Sequence, residues 1–304
     1  MADKSFWRGF WRLADPKISL ASFAGLWLGA CAAAADHGLY WGWLGMTVLG
    51  VFCVEVAKNA SGEIVDYDSG TDLAVSEAER TPFSGGKRVM IDSLLSRDQT
   101  VRIALTFYMA AIAIGLLLVW LRDPRIITFG LIGMGLAWYY HGGSLRLAYH
   151  GLGELAVALA YGPLVVCGTY FVQTGYMSAT LLHASCALGV QVAAFLWINE
   201  FPDFRADKAS GKRNLVVRLG AERAAFTYVL ILATAYCWLA LTGFTYPQAH
   251  GFLWGFAGAP LAVFSAWRLL NNHEDIPAII PAQAACLGGF VLMAFGAGLG
   301  YLLS

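Results

Sequence analysis

Long apolar stretches recur along the whole of this 304-residue chain, and they constrain its fold more than any other feature. A helix that crosses a bilayer needs about 20 mainly apolar residues. Nine such stretches, the fourth of them short, fall near residues 18–35, 41–62, 101–121, 126–140, 153–173, 179–200, 222–243, 249–270 and 278–303. Only 13% of the residues are charged, against about 25% in soluble domains. The sequence therefore predicts an all-α polytopic membrane protein, with about nine transmembrane helices around a central cavity.

The distribution of Lys and Arg predicts how these helices are oriented, because cytoplasmic loops carry an excess of both residues. With the N-terminus in the cytoplasm, only Arg122 and Arg125 of the 20 basic side chains fall on the opposite side of the membrane. The basic and aromatic segment 1–17 lacks the pattern of a cleavable signal peptide and is expected to lie at the membrane interface. We expect one domain over 1–304, with cytoplasmic loops at roughly 63–100 and 201–221.

Composition also excludes some classes of function. The net charge is zero, which gives no electrostatic basis for a nucleic-acid partner. The six cysteines stand alone within apolar stretches, as expected of small buried side chains rather than metal ligands.

The first of the two loops begins within an acidic motif at the end of the second apolar stretch. Asn59, Glu63 and Asp66 are spaced i, i+4 and i+7, which places them on one face of a helix. Gly70 then permits a turn, after which Asp72 can fold back toward the same point. The sequence predicts a cluster of oxygen ligands here.

A second acidic motif follows the sixth apolar stretch. Asn199, Asp203 and Asp207 are spaced i, i+4 and i+8, and they again share a face if the segment is helical. The charge distribution places this motif on the same side of the membrane as the first. We therefore expect the two motifs to contribute to one cavity.

Clustered carboxylates repel one another, and unpaired charge costs a few kcal/mol near a bilayer. A cation removes this conflict, and Mg²⁺ prefers one or two carboxylates together with phosphate oxygens. Two facing clusters suit a diphosphate leaving group, whose developing negative charge the metal neutralises. Basic side chains that can contact the remaining phosphate oxygens are Lys87, Arg88, Arg146, Lys212 and Arg213. The alternative is that all of these are ordinary solvated charges beside membrane helices.

Three stretches resemble the UbiA superfamily of intramembrane prenyltransferases, which carries an Asn-Asp-x-x-Asp motif after helix 2 and an Asp-x-x-x-Asp motif after helix 6 of nine. They are residues 59–72, residues 149–175 and residues 199–220. The middle stretch, with Tyr-His-Gly-Leu-Gly-Glu followed by Tyr-Gly-Pro-Leu, favours the branch that acts on 1,4-dihydroxy-2-naphthoate in the menaquinone pathway. One departure is Gly62-Glu63, where the superfamily usually has Asn-Asp.

The resemblance implies Mg²⁺-dependent transfer of a prenyl group from a polyprenyl diphosphate to an aromatic acceptor, in a bacterial inner or plasma membrane. It implies metal binding by both motifs, with Asp66 and Asp203 as the leading catalytic residues. Tyr139 and Tyr140 either contact the diphosphate or the allylic carbocation, or they anchor a helix at the interface. Arg146 and Lys87 are alternative ligands for a carboxylate on the acceptor.

Other functions stay open at this point. The same fold can act on 4-hydroxybenzoate or homogentisate, or cyclise a terpene without an acceptor. A transporter is a more distant alternative, because transporter sites usually lie near the bilayer midplane. Glu154 either caps the start of the fifth span or takes part in the site. The sequence does not predict the prenyl length, the general base or the oligomeric state.

Overall fold

The structure, a computed structural model, describes residues 4–16 and 19–304 and is all-helical over these residues. Residues 1–3 and the pair 17–18 lie outside the described residues, and with them the ends of the predicted interfacial segment and the start of the first apolar stretch. The ten principal helices are α1 (Lys4–Ala14), α2 (Ser19–Asp36), α3 (Trp41–Asp68), α4 (Arg97–Leu121), α5 (Ile126–His141), α6 (Gly153–Thr174), α7 (Ala179–Asn199), α8 (Ala221–Thr245), α9 (Pro247–Asn272) and α10 (Ile276–Leu303).

Eight helices of the described chain, α2 to α4 and α6 to α10, are long and apolar enough to cross a membrane. Helix α5 coincides with the fourth predicted stretch but has 16 residues, fewer than the about 20 that a span needs. The all-helical, polytopic prediction is confirmed, whereas the count of nine spans and the orientation stay predictions. Helices suit this setting because each satisfies its own backbone hydrogen bonds.

Local sequence explains where several helices begin and end. Ser96 caps α4 by accepting a hydrogen bond from the Gln99 amide, and the Gln99 side chain completes the capping box. Asp275 caps α10 in a similar way. Helix α6 contains a π-helical turn, Ala160–Leu164, at Pro163, since proline removes a backbone donor and disturbs regular α-helical bonding.

The two largest apolar clusters among the described residues join most of the helices. The larger joins α2, α7, α8, α9 and α10 around fully buried side chains that include Tyr228, Phe252 and Phe290. The smaller joins α1 to α3 and α4 through Phe10 and Leu13. Helix α1 buries this face while Trp7 and Trp11 stay exposed, the arrangement expected of an amphipathic interfacial helix.

The connections that carry the acidic motifs differ in detail from the predicted ones. Helix α3 continues to Asp68, so the first connection begins at Ser69 rather than at residue 63. The second motif is not one continuous helix. Helix α7 ends at Asn199, a turn with Pro202 follows, and a new short helix runs over Phe204–Ala209. The expected single helical face is therefore wrong, because proline cannot continue the helical bonding of α7.

Candidate active site

Both acidic motifs line one cavity of about 460 Å³, which we call the polar chamber. It lies where the C-terminal ends of α3 and α7 approach the two connections. Ten of the residues singled out from the sequence line it: Asn59, Glu63, Asp66, Asp72, Lys87, Tyr140, Asn199, Asp203, Asp207 and Lys212. The break in the second motif does not separate its residues, because the turn at Pro202 directs the following helix back toward the chamber.

Asp66 is positioned by a tyrosine from a distant part of the chain. The Tyr149 hydroxyl donates a hydrogen bond of 2.8 Å to Asp66 Oδ1. His141, at the end of α5, lies with Nε2 4.0 Å from Asp66 Oδ2. Gly62 permits this approach, since a Cβ there would lie 2.6 Å from His141 Nδ1. The His141 ring thus occupies the space that a side chain at residue 62 would fill.

Glu63 fixes the loop that covers the chamber. Its two carboxylate oxygens accept hydrogen bonds of 3.1 Å from the backbone amides of Arg88 and Met90. The Asn59 side-chain amide donates to the carbonyl of Leu13 at 3.2 Å, which ties α1 to the chamber wall. The extra methylene of Glu63 relative to aspartate gives it the reach to this loop. Both side chains keep oxygen lone pairs for a cation.

Asp72 lies on a short helical turn, Thr71–Ala74, and is only 4% exposed. Gly86, in the left-handed region at φ +76°, brings its backbone against the Asp72 carboxylate, where a Cβ would clash. Arg88 donates to the Asp72 carbonyl at 2.5 Å. Burial, then the negative charges of Asp66 and Glu63, raise the pKa of Asp72 to about 8.

In the second motif, the Asp207 carboxylate is held by one ammonium group and one side-chain amide. Lys212 Nζ lies 3.2 Å from Asp207 Oδ2, and the Asn214 side-chain amide donates to the same oxygen at 2.8 Å. Asp203 has a buried Oδ1 without a hydrogen-bond partner in the described residues. Burial and the charge of Asp207 raise the pKa of Asp203. A buried, unpartnered carboxylate oxygen of this kind suits a cation.

Five of the residues considered for the site from the sequence lie outside the polar chamber. Tyr139 points outward and is 37% exposed. Arg146 stacks on the Tyr149 ring at 3.9 Å, behind Asp66. Arg88 supports the Asp72 backbone, and the Arg213 side chain is exposed. Glu154 accepts a hydrogen bond of 2.9 Å from the Leu215 amide, so it fastens the second connection to the start of α6.

Several residues in or beside the chamber were missed by sequence reasoning. Lys58 and His141 line it, and Tyr149 holds Asp66. For Lys58, the available signal was its position directly before Asn59 of the first acidic motif. Tyr149 begins the Tyr-His-Gly-Leu-Gly-Glu stretch, but its contact with Asp66 was not predicted. Nothing local marks His141, because it reaches Asp66 only through the packing of distant segments.

A second cavity of about 500 Å³, the apolar cavity, lies between α3, α4, α5 and α6. Its outer lining includes Ile112, Leu116, Ile127 and Leu131, which are exposed on the lateral surface of α4 and α5. The polar chamber and the apolar cavity share four lining residues, which form what we call the neck: Lys58, Tyr140, Val157 and Tyr161. A ligand with a charged head and an apolar tail can therefore occupy both spaces at once.

The donor set fits a divalent cation such as Mg²⁺, which takes carboxylate and amide oxygens. Within residues 4–16 and 19–304, no three His, Cys, Asp or Glu side chains already converge on one point. The carboxylates instead surround the chamber, as expected if phosphate oxygens complete the coordination.

Several curated proteins are similar to this chain. The 1,4-dihydroxy-2-naphthoate octaprenyltransferase of Bacillus subtilis is 27% identical over 293 residues, covering 93% of this chain and 90% of that protein. The enzyme of the same name from Mycobacterium tuberculosis is 30% identical over 241 residues, covering 75% of this chain and 80% of that protein.

The fold is also similar to solved structures. A UbiA homolog from Archaeoglobus fulgidus bound to GPP and Mg²⁺ matches with a TM-score of 0.62 at 14% identity, covering 94% of this chain and 99% of that one. An apo UbiA homolog from Aeropyrum pernix gives a TM-score of 0.63 at 16% identity, covering 91% of this chain and 96% of that one.

The helical fold, the carboxylate-lined chamber and these likenesses together define a multi-pass membrane prenyltransferase. The chain belongs to the UbiA prenyltransferase family, whose sequence profile matches residues 22–280. The family resemblance drawn from the acidic motifs is thereby confirmed.

Proposed function

We propose that this protein transfers a polyprenyl group from a polyprenyl diphosphate to 1,4-dihydroxy-2-naphthoate, in a Mg²⁺-dependent step of menaquinone biosynthesis. The observation that carries the proposal is the direct junction of a carboxylate-lined chamber with an apolar cavity at Lys58, Tyr140 and Tyr161. This arrangement matches the two halves of the donor. The names of the naphthoate enzymes from B. subtilis and M. tuberculosis support the choice of acceptor.

The polar chamber would hold the diphosphate. Asn59, Glu63, Asp66 and Asp72 from one connection, with Asn199, Asp203 and Asp207 from the other, would hold Mg²⁺ between them and the phosphate oxygens. The metal would neutralise charge that builds on the leaving group. Lys212 and Lys87 line the chamber and would bind the remaining oxygens. The structures with GPP and Mg²⁺ or DMAPP and Mg²⁺ in UbiA homologs support this use of the chamber.

The apolar cavity would hold the prenyl tail next to the diphosphate. The cavity has a volume of about 500 Å³ and an apolar lining from four helices, which suits the isoprene units nearest the diphosphate. A longer tail would continue into the bilayer past the exposed side chains of α4 and α5. The lateral opening would also let the donor enter from the membrane. The excess of Lys and Arg near the chamber supports its orientation toward the cytoplasm.

Purified protein with a polyprenyl diphosphate, Mg²⁺ and several aromatic acceptors in parallel tests this function. We expect mass spectrometry to detect a prenylated naphthalene product and diphosphate release that depends on Mg²⁺. Asp66→Ala and Asp203→Ala should each abolish the product, and full activity of both variants would contradict the metal site. A hydrocarbon formed from the donor alone would indicate a terpene cyclase, and preferential use of 4-hydroxybenzoate or homogentisate would replace the naphthoate acceptor.

A further inference from the structure

Glu55 is a buried carboxylate in the membrane-spanning part of α3 that the metal site does not use. It is 7% exposed and lines the apolar cavity, and it is the only carboxylate among the described residues that do so. It lies four residues before Asn59, about 6 Å deeper along the helix axis. Ionisable side chains at such a depth are costly and are typically retained for function.

Two hydroxyl groups hold Glu55 in place. Ser22 of α2 donates a hydrogen bond of 2.7 Å to Oε1, and Tyr161 of α6 donates one of 3.3 Å to the same oxygen. Tyr161 lies in the π-helical turn at Pro163, a type of irregularity that often occurs at functional sites. One oxygen is thus fixed, while the second, Oε2, receives no hydrogen bond from the residues that the structure describes.

A cation lies beside this carboxylate. Lys58 is one helical turn further along α3, and its ammonium group lies 5.2 Å from the centroid of the Tyr140 ring. Lys58 makes no salt bridge within the described residues, and it lines both the polar chamber and the apolar cavity. A negatively charged ligand group at the neck would therefore meet a cation that forms no salt bridge with the described side chains.

The position of the neck determines which parts of the donor and the acceptor lie next to Glu55 and Lys58. With the diphosphate in the polar chamber and the tail in the apolar cavity, the bond that breaks lies between the two, at Lys58, Tyr140 and Tyr161. The acceptor ring must reach the first carbon of the prenyl group, so it must also lie at the neck. Glu55 and Lys58 are the charged groups among the described residues that line the apolar cavity next to the neck.

We propose that Glu55 is the general base for the acceptor hydroxyl and that Lys58 binds the acceptor carboxylate. The acceptor class is then an aromatic ring with a carboxylate adjacent to a hydroxyl group. This inference rests on the proposed prenyl transfer and names the residues that recognise and activate the second substrate. Ser22 and Tyr161 act as positioning residues, because they hold the Glu55 carboxylate through Oε1.

The proton and electrons balance in this scheme. The acceptor O–H bond breaks, its proton passes to Glu55 Oε2, and its electron pair moves into the ring. The ring carbon that bears the carboxylate forms the new C–C bond as the prenyl C–O bond breaks and leaves its pair on the diphosphate. The resulting β-keto carboxylate loses CO₂, and the proton returns from Glu55 to the enolate oxygen.

The test compares wild-type protein with Glu55→Gln, using a polyprenyl diphosphate, Mg²⁺ and 1,4-dihydroxy-2-naphthoate. Because a positioned base contributes about 10²- to 10⁴-fold to rate, we expect kcat to fall at least about 100-fold while the KM for the donor stays unchanged. A ring-fluorinated acceptor has a more acidic hydroxyl and depends less on a base. The loss of kcat caused by Glu55→Gln should therefore be several-fold smaller with this acceptor. Lys58→Gln should instead raise the acceptor KM.

The matched control is Glu79→Gln, which changes another buried glutamate outside both cavities and preserves its capping box. It should retain the wild-type rate. The proposal is overturned if Glu55→Gln keeps kcat within threefold of wild type. It is also overturned if kcat falls by the same factor with both acceptors, because a purely structural role of Glu55 would give that result. If the wild-type protein prenylates no aromatic acceptor, the proposed function itself fails. If the wild-type protein is active and only the Glu55→Gln result disagrees, the role of Glu55 fails alone.

Discussion

The hydroxyl of Tyr149 donates a hydrogen bond of 2.8 Å to the carboxylate of Asp66, across 83 residues of sequence. This contact fastens the segment after α5 to the end of α3. The Tyr149 ring in turn supports Arg146, whose guanidinium lies 3.9 Å from the ring centroid. A single tyrosine thus orients one carboxylate of the polar chamber and holds a cation behind it.

Replacing this tyrosine should weaken donor binding. Tyr149→Phe removes one hydrogen bond to a charged group, a contribution of about 1.5–3 kcal/mol. We expect the apparent affinity for Mg²⁺ and diphosphate to fall about 10- to 100-fold, measured from initial rates over a range of Mg²⁺ concentrations. Tyr67→Phe, at an exposed tyrosine near the end of α3, is the control. Equal kinetics for the two variants would contradict a positioning role for Tyr149.

The absence of a side chain at residue 62 should be necessary for the packing of α3 against α5. Gly62→Ala places a Cβ 2.6 Å from His141 Nδ1, and overpacking of this kind typically costs about 1–3 kcal/mol. We expect a lower Tm by thermal unfolding in detergent. Gly115→Ala, at a helical glycine with open space around it, should leave Tm unchanged or slightly higher.

A double variant separates a steric effect from a backbone effect at this position. Gly62→Ala combined with His141→Ala should recover most of the lost Tm, since the clashing ring is gone. A double variant as unstable as Gly62→Ala alone would show that the ring is not the cause.

Stability and metal binding should depend on pH in opposite directions. Burial, then Asp66 and Glu63, raise the pKa of Asp72 from 3.8 to about 8, and burial followed by Asp207 raises that of Asp203. The folded chain therefore binds these protons more tightly than the unfolded chain does. Without metal, the free energy of unfolding should decrease as the pH rises from about 4 to about 8.

Mg²⁺ needs the ionised carboxylates, so its affinity should increase from pH 6 to pH 8 with release of protons. Calorimetric titration in two buffers of different ionisation enthalpy measures that release. Asp72→Asn should reduce the pH dependence, whereas Asp68→Asn, at an exposed carboxylate paired with Arg97, should not. A pH-independent affinity in the wild-type protein would exclude this coupling.

Glu63 should control the order of the loop over the chamber. Glu63→Asp restores the superfamily residue but shortens the side chain, so the hydrogen bonds to the Arg88 and Met90 amides are lost or lengthened. We expect faster tryptic cleavage after Lys87 and Arg88. Glu77→Gln, at an exposed glutamate of the same connection, is the control, and equal cleavage rates in both variants would contradict the role of Glu63.

The sequence predicted most helices and much of the candidate site because hydropathy and residue spacing are local. Asn59, Glu63 and Asp66 share a helix, and their spacing alone brings them together. Asp203 and Asp207 line the same chamber by a different route, through the turn at Pro202, which spacing on an ideal helix does not describe.

Other features depend on packing between distant segments and leave no local pattern. Tyr139 and Tyr140 are adjacent in sequence, yet only Tyr140 lines the chamber, because successive residues on a helix point about 100° apart. His141 reaches Asp66 only because residue 62 lacks a side chain. The junction of the two cavities likewise follows from how α3, α5 and α6 pack, and no single motif encodes it.

The bond between the Asn59 amide and the Leu13 carbonyl has a practical consequence for work with this protein. The C-terminal end of helix α1 is part of the chamber wall, with Trp11 and Arg12 in its lining, so a purification tag at the N-terminus that displaces this helix would also open the active site. A tag after Ser304, beyond the last turn of α10, leaves that wall intact. Activity lost with the first tag and kept with the second would reflect the attachment point rather than the chemistry of the enzyme.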